Sequence, residues 1–152
     1  MMNIRICFLV AISVRVISGT GCEDGWIPYA GNCYHFSHDM ESWIEAEGMC
    51  LHLGGHLVEI NSRSENTFLQ GWVDMLNTHF WAGATDLNVR GDWVWVTSKT
   101  HLSNTFSLWA PGEPNNLNGW EEHCLMLWTH VGWNDMKCSE HLNYICEAYG
   151  KP

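Results

Sequence analysis

The stretch that decides the fold runs Glu113-Pro114-Asn115, then Glu122-His123-Cys124, then Trp133-Asn134-Asp135. Carboxylates and side-chain amides recur in it, and each offers a hard oxygen. Glu113, Asn115, Glu122, Asn134 and Asp135 together make a calcium-type donor set, because Ca²⁺ takes roughly six to eight oxygens at about 2.3–2.6 Å without strict geometry. A shell that the protein fills only in part leaves positions for the hydroxyl oxygens of a sugar. Calcium-mediated carbohydrate binding is therefore the first expectation. An ordinary solvated loop is also rich in Asn and Glu, but here all five positions carry the right atom types.

Working outward, Cys124 is one of seven cysteines. Cys7 lies in an N-terminal stretch where Arg5 precedes an apolar run from Ile6 to Val14, followed by Ser18, Gly19 and Gly21. That order of charge, apolar core and small residues is the order of a secretory signal, so residues 1–19 read as a signal peptide and the mature protein as secreted and extracellular. The run is broken by Arg15 and falls short of the roughly 20 apolar residues that cross a bilayer. No later segment is long and apolar enough, so no membrane span is expected. Cys22, Cys33, Cys50, Cys124, Cys138 and Cys146 remain, an even set that reads as three disulfides in an oxidising compartment. Sequence alone does not choose among the pairings. Locality favours Cys22–Cys33 and Cys124–Cys138, which leaves Cys50–Cys146.

The net charge is −10, and Arg63, Arg90, Lys99, Lys137 and Lys151 are scattered. Phosphate binding needs a basic patch, so nucleic acid is excluded as a partner. Catalysis fares no better. No Ser sits in a Gly-x-Ser-x-Gly elbow, and no cysteine is spare. His52 and His56 stand at i, i+4, but Leu53 occupies the place of the Glu in H-E-x-x-H, and Gly54-Gly55 break the helix. The chain is expected to be a non-enzyme.

Hydrophobic periodicity places the elements. Cys22 to Tyr34 reads as a hairpin turning at Gly31-Asn32. A first helix is expected from about Ser42 to Leu53, with Trp43, Ala46, Met49 and Cys50 on one face, then a strand over His56–Ile60. Ser62 and Glu65 form the ends of a capping box for a second helix, whose buried stripe reads as Phe68, Trp72, Met75 and Leu76. Strands follow at Phe80–Ala84 and Trp93–Thr97. The segment 98–119 is long and rich in Asn, Pro and Gly, and a loop of that length is usually functional or disordered. Strands Cys124–Trp128 and Asn143–Cys146 close the domain. Helices first and strands afterwards make the fold class α+β.

In this order and at these spacings the chain resembles the C-type lectin domain family in its longer form, with an N-terminal hairpin disulfide. The resemblance spans about residues 22–148. It rests on Trp43 to Cys50, Gly55-His56-Leu57-Val58, Trp81-Ala82-Gly83-Ala84, Glu113-Pro114-Asn115, Glu122-His123-Cys124, Trp133-Asn134-Asp135 and the six cysteines. It implies two helices, small antiparallel sheets, a long calcium-binding loop and the disulfide pairing above. It also implies a cis peptide before Pro114, and one Ca²⁺ held by Glu113, Asn115, Glu122, Asn134 and Asp135, with the Asp135 carbonyl available as a further donor. The same residues would bind the carbohydrate. Glu-Pro-Asn implies glycans with equatorial 3- and 4-hydroxyls: mannose, N-acetylglucosamine, glucose and fucose. A second, accessory calcium site is compromised, because Asp86 is matched but Arg90, Asn116 and His123 replace acidic ligands. Trp120 could stack on a sugar face or pack beneath the loop. A role in innate immune recognition is implied, and no oligomerisation segment is visible, which leaves open a non-covalent homodimer through the domain surface. The other expectation is an extracellular structural or biomineral matrix protein of the same fold without sugar binding.

Overall fold

A computed structural model describes residues 21–119 and 121–151. The signal peptide expected over residues 1–19, and Trp120, lie outside the described residues.

Strands β1 (Ile27–Tyr29) and β2 (Asn32–Phe36) form the N-terminal hairpin. Its turn is Ala30-Gly31, one residue earlier than expected, since Asn32 already pairs with Tyr29. Both turn residues take positive φ, 49° and 91°, the conformation that matches the twist of a two-residue hairpin. Helix α1 (Trp43–His52) buries Trp43, Ala46 and Cys50. Met49, expected on that face, is 37% exposed, because one residue before Cys50 it lies about 100° round the helix from it. Strand β3 (His56–Leu57) is shorter than the expected His56–Ile60, although Val58 and Ile60 are still buried in the core.

Helix α2 (Arg63–Leu76) begins at the expected cap, with the Ser62 hydroxyl accepting from the Glu65 N–H at 3.2 Å. The Glu65 carboxylate does not return to Ser62. It accepts instead from the Asn61 N–H at 2.8 Å and the Tyr34 hydroxyl at 2.7 Å. The stripe also differs from expectation: Glu65, Asn66, Leu69 and Val73 are buried, with Phe68 and Trp72 half-buried beside them. Met75 and Leu76 point outward, 63% and 41% exposed.

The remaining strands are β4 (Phe80–Thr85), β5 (Val94–Trp95), β6 (Glu122–Trp128), β7 (Gly132–Lys137) and β8 (Asn143–Tyr149). Strand β7 carries Trp133-Asn134-Asp135, so a segment expected only as a ligand cluster is part of the sheet. The expected small sheets are joined into one path, β1-β2-β8-β4-β6-β7, through the parallel pair β4–β8, with β3 on β8 and β5 on β4. Gly83 explains the small residues in Trp81-Ala82-Gly83-Ala84: its N–H donates to the Val58 carbonyl at 2.9 Å, and a Cβ there would stand 2.7 Å from the Leu57 oxygen. The disulfides are Cys22–Cys33, Cys50–Cys146 and Cys124–Cys138, as expected. Cys50–Cys146 ties α1 to the last strand, inside a cluster with Trp43, Leu57, Trp81 and Tyr144.

Candidate functional site

Two neighbouring strands and one loop supply the five expected donors. Glu122 opens β6, Asn134 and Asp135 lie on β7, and Glu113 and Asn115 come from the loop before β6. In the antiparallel pairing Asn134 faces Met126 and Asp135 faces Leu125. The ladder is held from below by Trp133, which is fully buried and makes edge contacts with Trp95, Phe106 and Trp109. Successive strand residues point to opposite faces, so an indole driven into the core turns Asn134 the other way.

The loop is built onto these strands by hydrogen bonds. The Glu113–Pro114 peptide is cis, as expected. Asn115 and Asn116 donate their backbone N–H groups to the two Asp135 carboxylate oxygens at 3.1 and 2.7 Å. Leu117 donates its N–H to Glu122 Oε2 at 2.8 Å, and the Asn116 side-chain oxygen accepts from the Glu122 N–H at 3.0 Å. The Asn115 amide donates to Glu113 Oε1 at 2.8 Å, and the Asn134 amide donates to the Asp135 carbonyl at 2.6 Å. Asn116 is thus an organiser of the loop that sequence reasoning missed. Its φ of 44° is a left-handed conformation that Asn tolerates better than most residues, which is the signal that could have marked it.

Glu113, Asn115, Glu122 and Asn134 line one pocket of about 280 Å³. Asp135 does not line it. At 1% exposure it lies beneath, with both oxygens engaged by the loop backbone. Glu113 Oε2 is buried without a donor, and its neighbour is the Asp135 carboxylate, another acceptor. Burial first, and then Asp135, push the Glu113 carboxyl up to about 7. Two carboxylates in this relation have to share a proton or a cation.

Glu147 is likewise raised to about 7, by burial first, with Glu65 and Glu59 among its neighbours. Asp86, matched to the accessory site, is already satisfied: Oδ1 lies 2.7 Å from His123 Nδ1, and Oδ2 accepts from the Gly91 N–H at 2.7 Å. Among the described residues, Glu41, Glu45 and His141 bring ligand atoms within 4.8 Å of one another, with only Glu45 on α1. Glu113, Glu122 and Asp135 do not bring three ligand atoms within that distance. A larger hollow of about 370 Å³ sits against Trp26, Leu53 and Tyr149; its charged side chains Glu23 and Lys151 pair with each other at 2.7 Å.

An α+β domain tied by three disulfides, with an oxygen-rimmed pocket over a β-hairpin, defines the C-type lectin class. The model of the lectin C-type domain matches residues 39–148, and the chain belongs to that family. The perlucin-like protein of Mytilus galloprovincialis is 35% identical over 151 residues, covering 95% of this chain and 94% of its own. The carbohydrate-recognition domain of cow CD23, solved in the presence of a GlcNAc2Man3 oligosaccharide, is similar with a TM-score of 0.79 and 32% identity, over 88% of this chain and 100% of that one. A calcium-independent type II antifreeze protein is similar at TM-score 0.75 and 26% identity, over 86% and 96% of the two chains. The protein is a C-type lectin domain and not an enzyme. Among the described residues no helix is long and apolar enough to cross a membrane.

Proposed function

We propose that this protein is a secreted, calcium-dependent lectin that takes mannose-type glycans through Glu113, Asn115, Glu122, Asn134 and Asp135. The observation that carries this reading is the buried, donorless Glu113 Oε2 beside a second carboxylate. None of the ion pairs among the described residues includes Glu113 or Asp135. A divalent cation suits that arrangement, and the donor set of carboxylate and amide oxygens fits a hard ion such as Ca²⁺. When bound, the ion supplies a centre at which two neighbouring sugar hydroxyls complete the coordination shell.

The side chains then do the recognition. An ionised Glu113 or Glu122 accepts a hydroxyl proton, while the Asn115 and Asn134 amides donate to the hydroxyl lone pairs. Hydrogen bonds to a charged partner are the stronger ones. Asp135 acts from below, holding the Asn115 and Asn116 backbone so that Asn115 stays beside Glu113. The Glu-Pro-Asn order favours equatorial 3- and 4-hydroxyls. A shallow site of this kind gains useful strength by multivalency, which a non-covalent homodimer would provide, and recognition of foreign glycans in innate immunity is the role that fits.

Glycan-array binding with and without a chelator tests the reading. Mannose-type signals that vanish on chelation are expected. The similarity to a calcium-independent antifreeze protein makes the fold compatible with a non-sugar role, and an array that stays silent under both conditions would favour a structural or mineral-matrix function.

A further inference from the structure

We propose that the pocket beside the calcium donors receives a short apolar substituent of the glycan, so that the preferred ligand is an alkylated or acylated saccharide. The inference rests on the sugar site proposed above and adds a second binding element to it. The same pocket that Glu113, Asn115, Glu122 and Asn134 line continues over Leu117, Met126, Trp128 and Met136. Leu117, Met126 and Met136 carry no strong hydrogen-bonding group, and Trp128 carries one, its indole N–H.

Strand alternation explains how polar and apolar parts come to share one surface. On β6, Leu125 and Leu127 are buried in the main core, so Met126 and Trp128 share the opposite face. On β7, Asn134 stands across from Met126 and Met136 across from Cys124, which puts both on that face as well. The amide donor is thus bordered along the sheet by Met126, 2% exposed and packed in the second core cluster, and by the partly buried Met136. Trp128 and Leu117 complete the surface from the far end of β6 and from the loop, 37% and 48% exposed.

His79 closes the end. It lines the pocket with its ring edge-on to Trp128 at 6.3 Å, and its Nδ1 accepts from the Thr129 N–H at 3.3 Å. An accepting Nδ1 puts the ring proton on Nε2, and burial lowers the pKa, so the ring is a neutral wall.

A hexose seated on the donors has exposed apolar surface beside it in Leu117 and Trp128. An alkyl or acyl group on the same sugar would cover them, and ligand pockets of this mostly apolar kind orient their guests with few polar groups. The volume limits the guest. About 280 Å³ has to hold the cation, the sugar edge seated on it and the substituent, so the part of a substituent that it covers is short. Methionine side chains adapt their shape to what they contact, so the subsite accepts a group of variable branching.

Calorimetry with calcium at neutral pH tests this with methyl α-mannoside, butyl α-mannoside, and methyl mannosides butyrylated at O2 and at O6. Burial of a methylene is worth roughly a fourfold gain, so at least one substituted ligand is expected to bind about tenfold tighter than methyl α-mannoside. The ratio between that ligand and methyl α-mannoside should fall toward one in Trp128→Ala and in Leu117→Ala. If methyl α-mannoside binds and no substituted ligand binds more tightly, the inference is overturned while the lectin reading stands. A gain that survives both substitutions overturns the placement in this pocket. No binding by any of the four ligands overturns both.

Discussion

Trp133 donates its indole N–H to the Asn66 side-chain oxygen at 2.6 Å, and both residues are buried. The bond joins α2 to β7 one residue before Asn134. The position of the candidate donors is therefore set by the core of the domain and not by the loop alone.

Replacing Asn66 by alanine leaves a buried N–H without an acceptor, at a cost of about 1–3 kcal/mol. Urea unfolding of the oxidised protein should show this loss. Calcium affinity should fall with it, because β7 is no longer pinned; an unchanged midpoint would mean that the indole finds another partner.

The paired substitution of Glu113 by Gln and Asn115 by Asp exchanges donor and acceptor at the two positions flanking Pro114. Preference is expected to move from mannose toward galactose in competition binding, with calcium still required. Mannose binding retained unchanged would separate these side chains from sugar selection.

Protons and calcium should compete at Glu113. Its folded-state value of about 7 lies above the ordinary 4.5, chiefly through burial and then through Asp135. Between those values the folded chain without metal holds a proton that the unfolded chain has lost. This contribution to stability is full below about pH 4.5 and is lost as pH rises through about 7. Calcium needs the ionised form, so its affinity should run the opposite way and weaken as pH falls from 7.5 to 5. In chelator, Glu113→Gln should remove part of the stability lost between pH 5 and 7.5. Glu147 is raised to about 7 by burial foremost and should supply a further part that this variant keeps.

Among the disulfides, loop length ranks the effects. Cys50–Cys146 closes 96 residues and Cys22–Cys33 closes 11. Chain entropy assigns about 4.7 kcal/mol to the first and about 2.8 kcal/mol to the second. Thermal melts of the two double alanine variants should rank accordingly, with the Cys50–Cys146 variant much the less stable.

The donors are legible in the sequence because three of the motifs that carry them are local: Glu113-Pro114-Asn115, Glu122 before Cys124, and Asn134-Asp135 after Trp133. The buried face of α2 is not. Glu65 and Asn66 look like surface residues until Tyr34 and Trp133, 31 and 67 residues away in the chain, are seen to satisfy them. Met75 and Leu76 then lose the core positions that hydrophobicity alone would give them. Strand β7 is hidden for a related reason, since Asn and Asp have poor β propensity and only pairing with β6 makes the segment a strand. The apolar half of the pocket is likewise out of reach, because Leu117, Met126, Trp128 and Met136 meet only when the hairpin and the loop are folded together.

Titrating CaCl₂ into the oxidised protein at pH 7.5, with the heat followed first alone and then with methyl α-mannoside present, tests whether sugar binding runs through the ion. A saturable one-site heat, and sugar binding seen only after calcium is added, is the predicted result. An absence of calcium heat, or sugar binding that is the same in chelator, would contradict the account.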